Sequence, residues 1–131
     1  MPPFAAISLI ALGGAAGAIC RYLITSSLGV VSDGGPRFPW GVLAVNLFGC
    51  PLIGVLAAVL MSRPTDDRLR FLLITGFLGS FTTFSAFGLD TFELLKANAM
   101  GLALANIAAS VVGGIALAAI GWTVTQRLIG S

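Results

Sequence analysis

The feature that most limits what this chain can fold into is the absence of charge over four long stretches. No Asp, Glu, Lys or Arg occurs from Met1 to Cys20, from Phe38 to Ser62, from Phe71 to Leu89, or from Ala97 to Gln126. A helix needs about 20 mostly apolar residues to cross the hydrocarbon of a bilayer, and the gaps have that length. They predict four transmembrane helices, roughly over residues 4–27, 39–61, 69–95 and 99–127. These use nearly the whole chain, so residues 1–131 are expected to form a single all-α integral-membrane domain in the cell membrane. Composition agrees: charged residues make up 9% of the chain, against about 25% in soluble domains, too few to cover a surface facing water.

The same inventory excludes several functions. The basic residues are scattered rather than clustered, so no nucleic-acid partner is expected. There is no histidine, the only cysteines, Cys20 and Cys50, fall inside spans, and no paired carboxylate lies inside a span, Asp90 and Glu93 standing near the end of the third. Neither a catalytic metal site nor general acid–base chemistry has the residues it needs. The opening "MPPFAAISLI" has neither the basic start nor the small-residue cleavage site of a signal peptide, and it is expected to stay as the first helix.

Four spans put both termini on one side. That side carries Arg63, Arg68, Arg70 and Arg127, and the other carries Arg21, Arg37 and Lys96. Four against three is a slight bias under the positive-inside rule, so insertion both ways up, with antiparallel pairing of two copies, is open to this chain.

Polar and small residues inside the spans are then the informative ones. In "GGAAGAICRY" (13–22), Gly13 and Gly17 share a face and permit close helix approach. Arg21 is one turn further on, either snorkelling to the interface or standing at the mouth of an anion path. In "VNLFGCPLIG" (45–54), Asn46 and Cys50 share a face, Gly49 is near, and Pro51 is expected to bend the helix. An amide at that depth must find partners across helices or in a wet cavity. Asp-Gly-Gly-Pro at 33–36 reads as a turn, and Pro39 as a first helical position. Thr65 reads as an N-cap with Asp66 and Asp67 in the first turn of the third helix. In the last helix, Asn106, Ser110 and Gly113 or Gly114 form a narrow stripe, which serves helix packing or lines a pore.

The third span holds "GFLGSFTTFS" (76–85), where glycines and hydroxyl residues predict a break in the helix. Irregular backbone survives at membrane depth only when buried in protein or lining a watery cavity. Such a break exposes carbonyl oxygens, which suit an alkali cation such as Na⁺. The threefold spacing of Phe81, Phe84 and Phe87 sets their rings on one side if the backbone is helical there. Ring edges are electropositive and can meet a small anion, while Thr82, Thr83, Ser85, Asn46, Asn106 and Ser110 offer donors. Asp90 and Glu93 lie near the far end of this span, Asp90 either as a capping or ion-paired residue or as part of a vestibule.

These segments, above all "GFLGSFTTFSAF", resemble the Fluc (CrcB) fluoride-channel family, in order and across nearly the full chain. The resemblance implies an antiparallel, dual-topology homodimer that passively exports fluoride from the cytoplasm through two pores. It also implies a structural Na⁺, not transported, on the backbone carbonyls of Gly79 and Thr82. By the same resemblance, Phe84 and Phe87 turn ring edges to fluoride, Asn46, Thr83, Ser85 and Ser110 line the pore, and Arg21 and Asp90 belong to the vestibule. The chain departs from the family pattern in several places. Ser80 stands where a second glycine is common, Ala86 and Gly88 each lack a hydroxyl, and Asp90 is shorter than the usual Glu. Asn106 aligns with a tyrosine of some relatives, and Pro51 is unusual.

Two other functions compete. A small multidrug-type exporter also has four helices, but needs a membrane-embedded carboxylate, usually in the first helix, where this chain has only Arg21. A non-transporting scaffold explains the glycines but not the hydroxyl-rich break.

Overall fold

The computed structural model describes residues 2–28, 35–62 and 67–130. The first two residues of the expected turn at 33–36 and the Thr65 cap with Asp66 lie outside the described residues. Among the described residues are four helices long and apolar enough to cross a membrane. They are α1 (Pro3–Leu28), α2 (Trp40–Ser62), a third span Asp67–Lys96 and a fourth, Met100–Ile129. The third is divided into α3 (residues 67–81) and α4 (Phe84–Lys96), and the fourth is α5. Within α3 the stretch Arg70–Leu78 is wound as a π-helix, and within α5 so is Ala109–Gly113.

Helices that are apolar all round have no oily face to hide, and lipid is as apolar as leucine, so packing must come from close fit. Glycine supplies it along two seams. A methyl on Gly13 or Gly17 of α1 would fall on the Leu72 or Phe77 carbonyl oxygen of α3. On Gly54 of α2 it would fall on the Ala118 carbonyl, and on Gly121 of α5 on that of Pro51. The backbones of α1 and α3, and of α2 and α5, therefore touch. Gly114 adds contact to Cys50, whose Sγ would lie 3.1 Å from an added Cβ. The glycine portion of the α5 stripe thus serves packing. Pro51 sits inside α2, on the α5 seam. A small cluster of Val45, Leu78 and Phe81 joins α2 to α3.

Most hydroxyls in the spans are satisfied locally. Thr25, Ser26, Ser27, Ser62 and Thr123 each donate to the carbonyl four residues before, which removes the cost of an unbonded polar group in lipid. The exit from α4 is also self-contained. Asn98 adopts a left-handed conformation (φ 56°), its N–H donates to the Leu95 carbonyl, and the Ala99 N–H donates to that of Leu94. This is the Schellman pattern, with asparagine where glycine is commonest.

Candidate functional site

The third span leaves the helix at Thr82 (φ −83°, ψ 155°) and Thr83 (φ −150°, ψ 117°), both extended. The glycines of that segment are not where it breaks: Gly79 is helical (φ −61°, ψ −29°). What distinguishes Thr82 and Thr83 is a set of alternative partners. The Thr83 N–H, which a continuous helix would send to the Gly79 carbonyl, donates to Oδ1 of Asn46 at 2.8 Å. The Asn46 Nδ2 donates back to the Thr83 carbonyl at 3.1 Å. The Ala86 N–H, due to the Thr82 carbonyl, donates instead to Thr83 Oγ1 at 3.2 Å, which makes Thr83 the N-cap of α4. Ser85 Oγ lies 3.2 Å from the same hydroxyl, and Thr82 Oγ1 is turned back to the Leu78 carbonyl at 2.9 Å.

Beside the break is a cavity of about 330 Å³, open to the outer surface of the chain. Its walls come from α2 (Asn46, Gly49, Cys50, Ile53), from α3 with the break and α4 (Ile74, Leu78, Gly79, Thr82, Thr83, Phe84, Phe87), and from α5 (Ser110, Val111). No charged residue lines it. The fold thus gathers Asn46, Thr83, Phe84, Phe87 and Ser110 from three spans, with Gly79 and Thr82 beside them. Phe84 and Phe87 have ring centroids 5.4 Å apart, tilted by 51°. Phe87 is buried and Phe84 is 82% exposed on the surface where the cavity opens. Ser110 Oγ is buried and has no hydrogen-bond partner. It differs in this from the span hydroxyls that bond back to their own helix, and its hydrogen-bonding capacity is left unused.

Other candidate residues lie elsewhere. Asn106, 1% exposed, donates to Thr91 Oγ1 at 2.9 Å, and Thr91 donates to the Phe87 carbonyl at 2.7 Å. Its amide ties α5 to α4 and is not on the cavity wall. Phe81 does not share a side with Phe84: the break falls between them, and Phe81 is buried against Val45 and Leu78. The equal spacing had assumed a continuous helix. Asp90 lines a second pocket, at the end of the spans, with Thr25, Arg37, Trp40 and Glu93, and its Oδ2 is buried without a partner. Arg21 lies on α1 one turn before Thr25, whose hydroxyl donates to its carbonyl at 2.9 Å. Sequence reasoning did not single out Ile53, Ile74 or Val111 as cavity residues, because nothing in an apolar helix marks which aliphatic side chain will face a void.

A polytopic membrane protein with a broken span and an uncharged, donor-bearing cavity beside the break is what these elements define. The family described as CrcB-like protein, Camphor Resistance (CrcB), matches residues 8–122. The chain is 44% identical over 125 residues to a protein of Agrobacterium fabrum named fluoride-specific ion channel FluC, an alignment spanning 93% of this chain and 97% of that one. Proteins of the same name from Leptospira interrogans, 49% identical over 84% of this chain and 86% of theirs, and Salinibacter ruber, 42% identical over 92% and 90%, also match. The chain belongs to the CrcB family and is a multi-pass protein of the cell membrane.

Proposed function

We propose that this protein is a fluoride-selective channel, not an enzyme, that lets F⁻ leave the cytoplasm passively and so lowers its toxicity. The observation that carries the reading is the buried, unpartnered Ser110 hydroxyl on a cavity that it shares with Phe84, Phe87 and Asn46. Fluoride is small and strongly hydrated, so a pore must replace its water with close donors. The Ser110 O–H and the second Nδ2–H of Asn46 are hydrogen-bond donors, and aromatic ring edges add a weaker positive surface. With no charge on its walls, the cavity does not trap the ion. The carboxylates Asp90 and Glu93 line a different pocket, which leaves the cavity without the anion that a cationic cargo requires. Several curated relatives bear the name fluoride-specific ion channel, which supports the same substrate. The driving force is the membrane potential: HF crosses the bilayer from acid surroundings, ionises in the neutral cytoplasm, and leaves as F⁻.

The working unit in this reading is an antiparallel homodimer of dual topology. A phenylalanine 82% exposed beside an open cavity gains from a second protein surface. The near balance of basic residues on the two sides fits insertion in both directions. A structural Na⁺ belongs to the same reading. The carbonyls of Gly79 and Thr82 suit it because the two N–H groups that would occupy them in a helix are bonded to Asn46 and Thr83 instead. Bound there, the ion would supply positive charge that ties two copies together, without being transported.

Fluoride efflux from liposomes, read with an electrode after a K⁺ ionophore is added and with chloride as the control, tests the function. Fast fluoride efflux with negligible chloride efflux is expected. Replacing both Phe84 and Phe87 with Ile should abolish the flux while the dimer persists. Normal flux in that double variant would overturn the pore assignment, and no fluoride flux from folded wild-type protein would overturn the function.

A further inference from the structure

The Asn46 carboxamide spends one acceptor and one donor on a single residue of another span, Thr83, and on its backbone rather than its side chain. Those two bonds form a closed ring. The orientation of the amide is fixed by it, because the flipped amide would set Oδ1 against a carbonyl and Nδ2 against an N–H. Asn46 therefore presents to Thr83 what a neighbouring strand would, and Thr83 is correspondingly extended. The partner it displaces is specific. Without Oδ1, the acceptor that helix geometry assigns to the Thr83 N–H is the Gly79 carbonyl one turn back, and making that bond means winding Thr83 into the helix. Gly79 offers no resistance, since its own conformation is already helical.

We infer that Asn46 is a positioning residue: its amide holds the third span open at Thr83 and keeps the Gly79 carbonyl available to a cation. This rests on the proposed structural Na⁺ and deepens it, because the quality of the cation site on α3 is then set from α2. Asn46 also lines the cavity, so one side chain links the pore wall to the cation site.

The test uses full-length protein in liposomes, with two readouts that do not depend on flux. One is the Na⁺ concentration that half-maximally stabilises the dimer against heat, measured against N-methylglucamine. The other is the Cα and Cβ shifts of Thr83 by solid-state NMR, which distinguish extended from helical backbone. In Asn46→Ala the Na⁺ midpoint is expected to rise roughly tenfold or more, as for loss of a residue that orients a metal ligand, with Thr83 moving toward helical shifts. Asn46→Asp in its protonated form keeps both an acceptor for the Thr83 N–H and an O–H donor for the Thr83 carbonyl. Below the pH at which that carboxyl ionises it should therefore hold both readouts near wild type, while fluoride flux falls in both variants. Extended Thr83 shifts in Asn46→Ala, or equal loss of Na⁺ affinity in the two variants, would overturn the inference. Should Asn46→Ala fail to fold, wild-type protein decides. An NMR contact between the Asn46 side chain and the Thr83 amide, with Na⁺-responsive Gly79 and Thr82 carbonyls, supports the inference, and absence of that contact overturns it. A wild type indifferent to Na⁺ would remove the cation reading and with it the Gly79 half of the inference. Thr83 shifts would then decide the positioning half. A wild type without fluoride flux would remove only the channel reading.

Discussion

The third and fourth spans are equally long, 30 residues each, and both contain a π-helical stretch and glycines, yet only one breaks. The fourth passes through Gly113 (φ −61°, ψ −44°) and Gly114 (φ −61°, ψ −48°) without leaving the helix. The third stays helical at Gly79 and leaves the helix at two threonines. Glycine is permissive, but permission does not pay for an unbonded N–H in lipid, which costs several kcal/mol. The third span breaks because Asn46 and the Thr83 hydroxyl take over bonds that the helix gives up, whereas the side chains against Gly113 and Gly114 are those of Leu47 and Cys50, the latter a weak acceptor. In this molecule glycine brings backbones together, and hydroxyl and amide groups take them apart.

The sharpest way to break that comparison is to add methyls. Gly17→Ala and Gly54→Ala would each drive Cβ into a backbone carbonyl of the facing helix. Neither α1 against α3 nor α2 against α5 can yield without separating, so a loss of about 3 kcal/mol or more is expected, read as failure to recover folded protein from detergent. Gly79→Ala, nearest to the Ile74 carbonyl at 3.6 Å, should leave folding unchanged within about 0.5 kcal/mol although it adjoins the break. Equal damage from Gly17→Ala and Gly79→Ala would mean that glycine does make the break.

A smaller effect is expected at the cap. Thr83→Val keeps the shape but removes the oxygen that receives the Ala86 N–H, a loss of about 1 kcal/mol in thermal denaturation. Thr123→Val on α5, whose hydroxyl only bonds back to Ala119, should be close to neutral, and the contrast between the two sharpens the case for partner exchange.

The smallest effect belongs to the turn after α4, where the chain leaves the helix with no help from another span. Asn98→Gly relieves a left-handed asparagine, for a gain of a few tenths of a kcal/mol, and Asn98→Ala should cost about 1 kcal/mol. Both are read from unfolding midpoints.

Much of this was legible in the sequence, for reasons that differ by element. The gaps in charge mark the four spans because lipid tolerates so few charged residues, and hydroxyls crowded into 76–85 mark the break. Which spans would be neighbours was not legible. An apolar helix has no polar face to point away from a partner, and Gly13 with Gly17 says only that something approaches α1, not that it is α3. The separation of Phe81 from Phe84 was hidden because a spacing argument needs to know where the helix stops. Asn106 read as a pore donor because its bond to Thr91 connects residues whose spatial proximity depends on how α4 meets α5. Asn46 was singled out as a polar group at depth, but its grip on the Thr83 backbone is a relation between spans that composition cannot express.

The broken span also bears on how the chain is made. At about 1.5 Å per residue, the 13 residues of α4 reach only about 20 Å, against the roughly 30 Å of hydrocarbon that a spanning helix crosses. Neither half is a good substrate for membrane insertion alone, whereas the unbroken stretch is. Synthesis runs from the N-terminus, so α2 and its asparagine are already in the bilayer when residues 67–96 emerge. The order of helices along the chain thus delivers the acceptor before the donor that needs it, and the third span can enter whole and open afterwards against a partner that is already waiting.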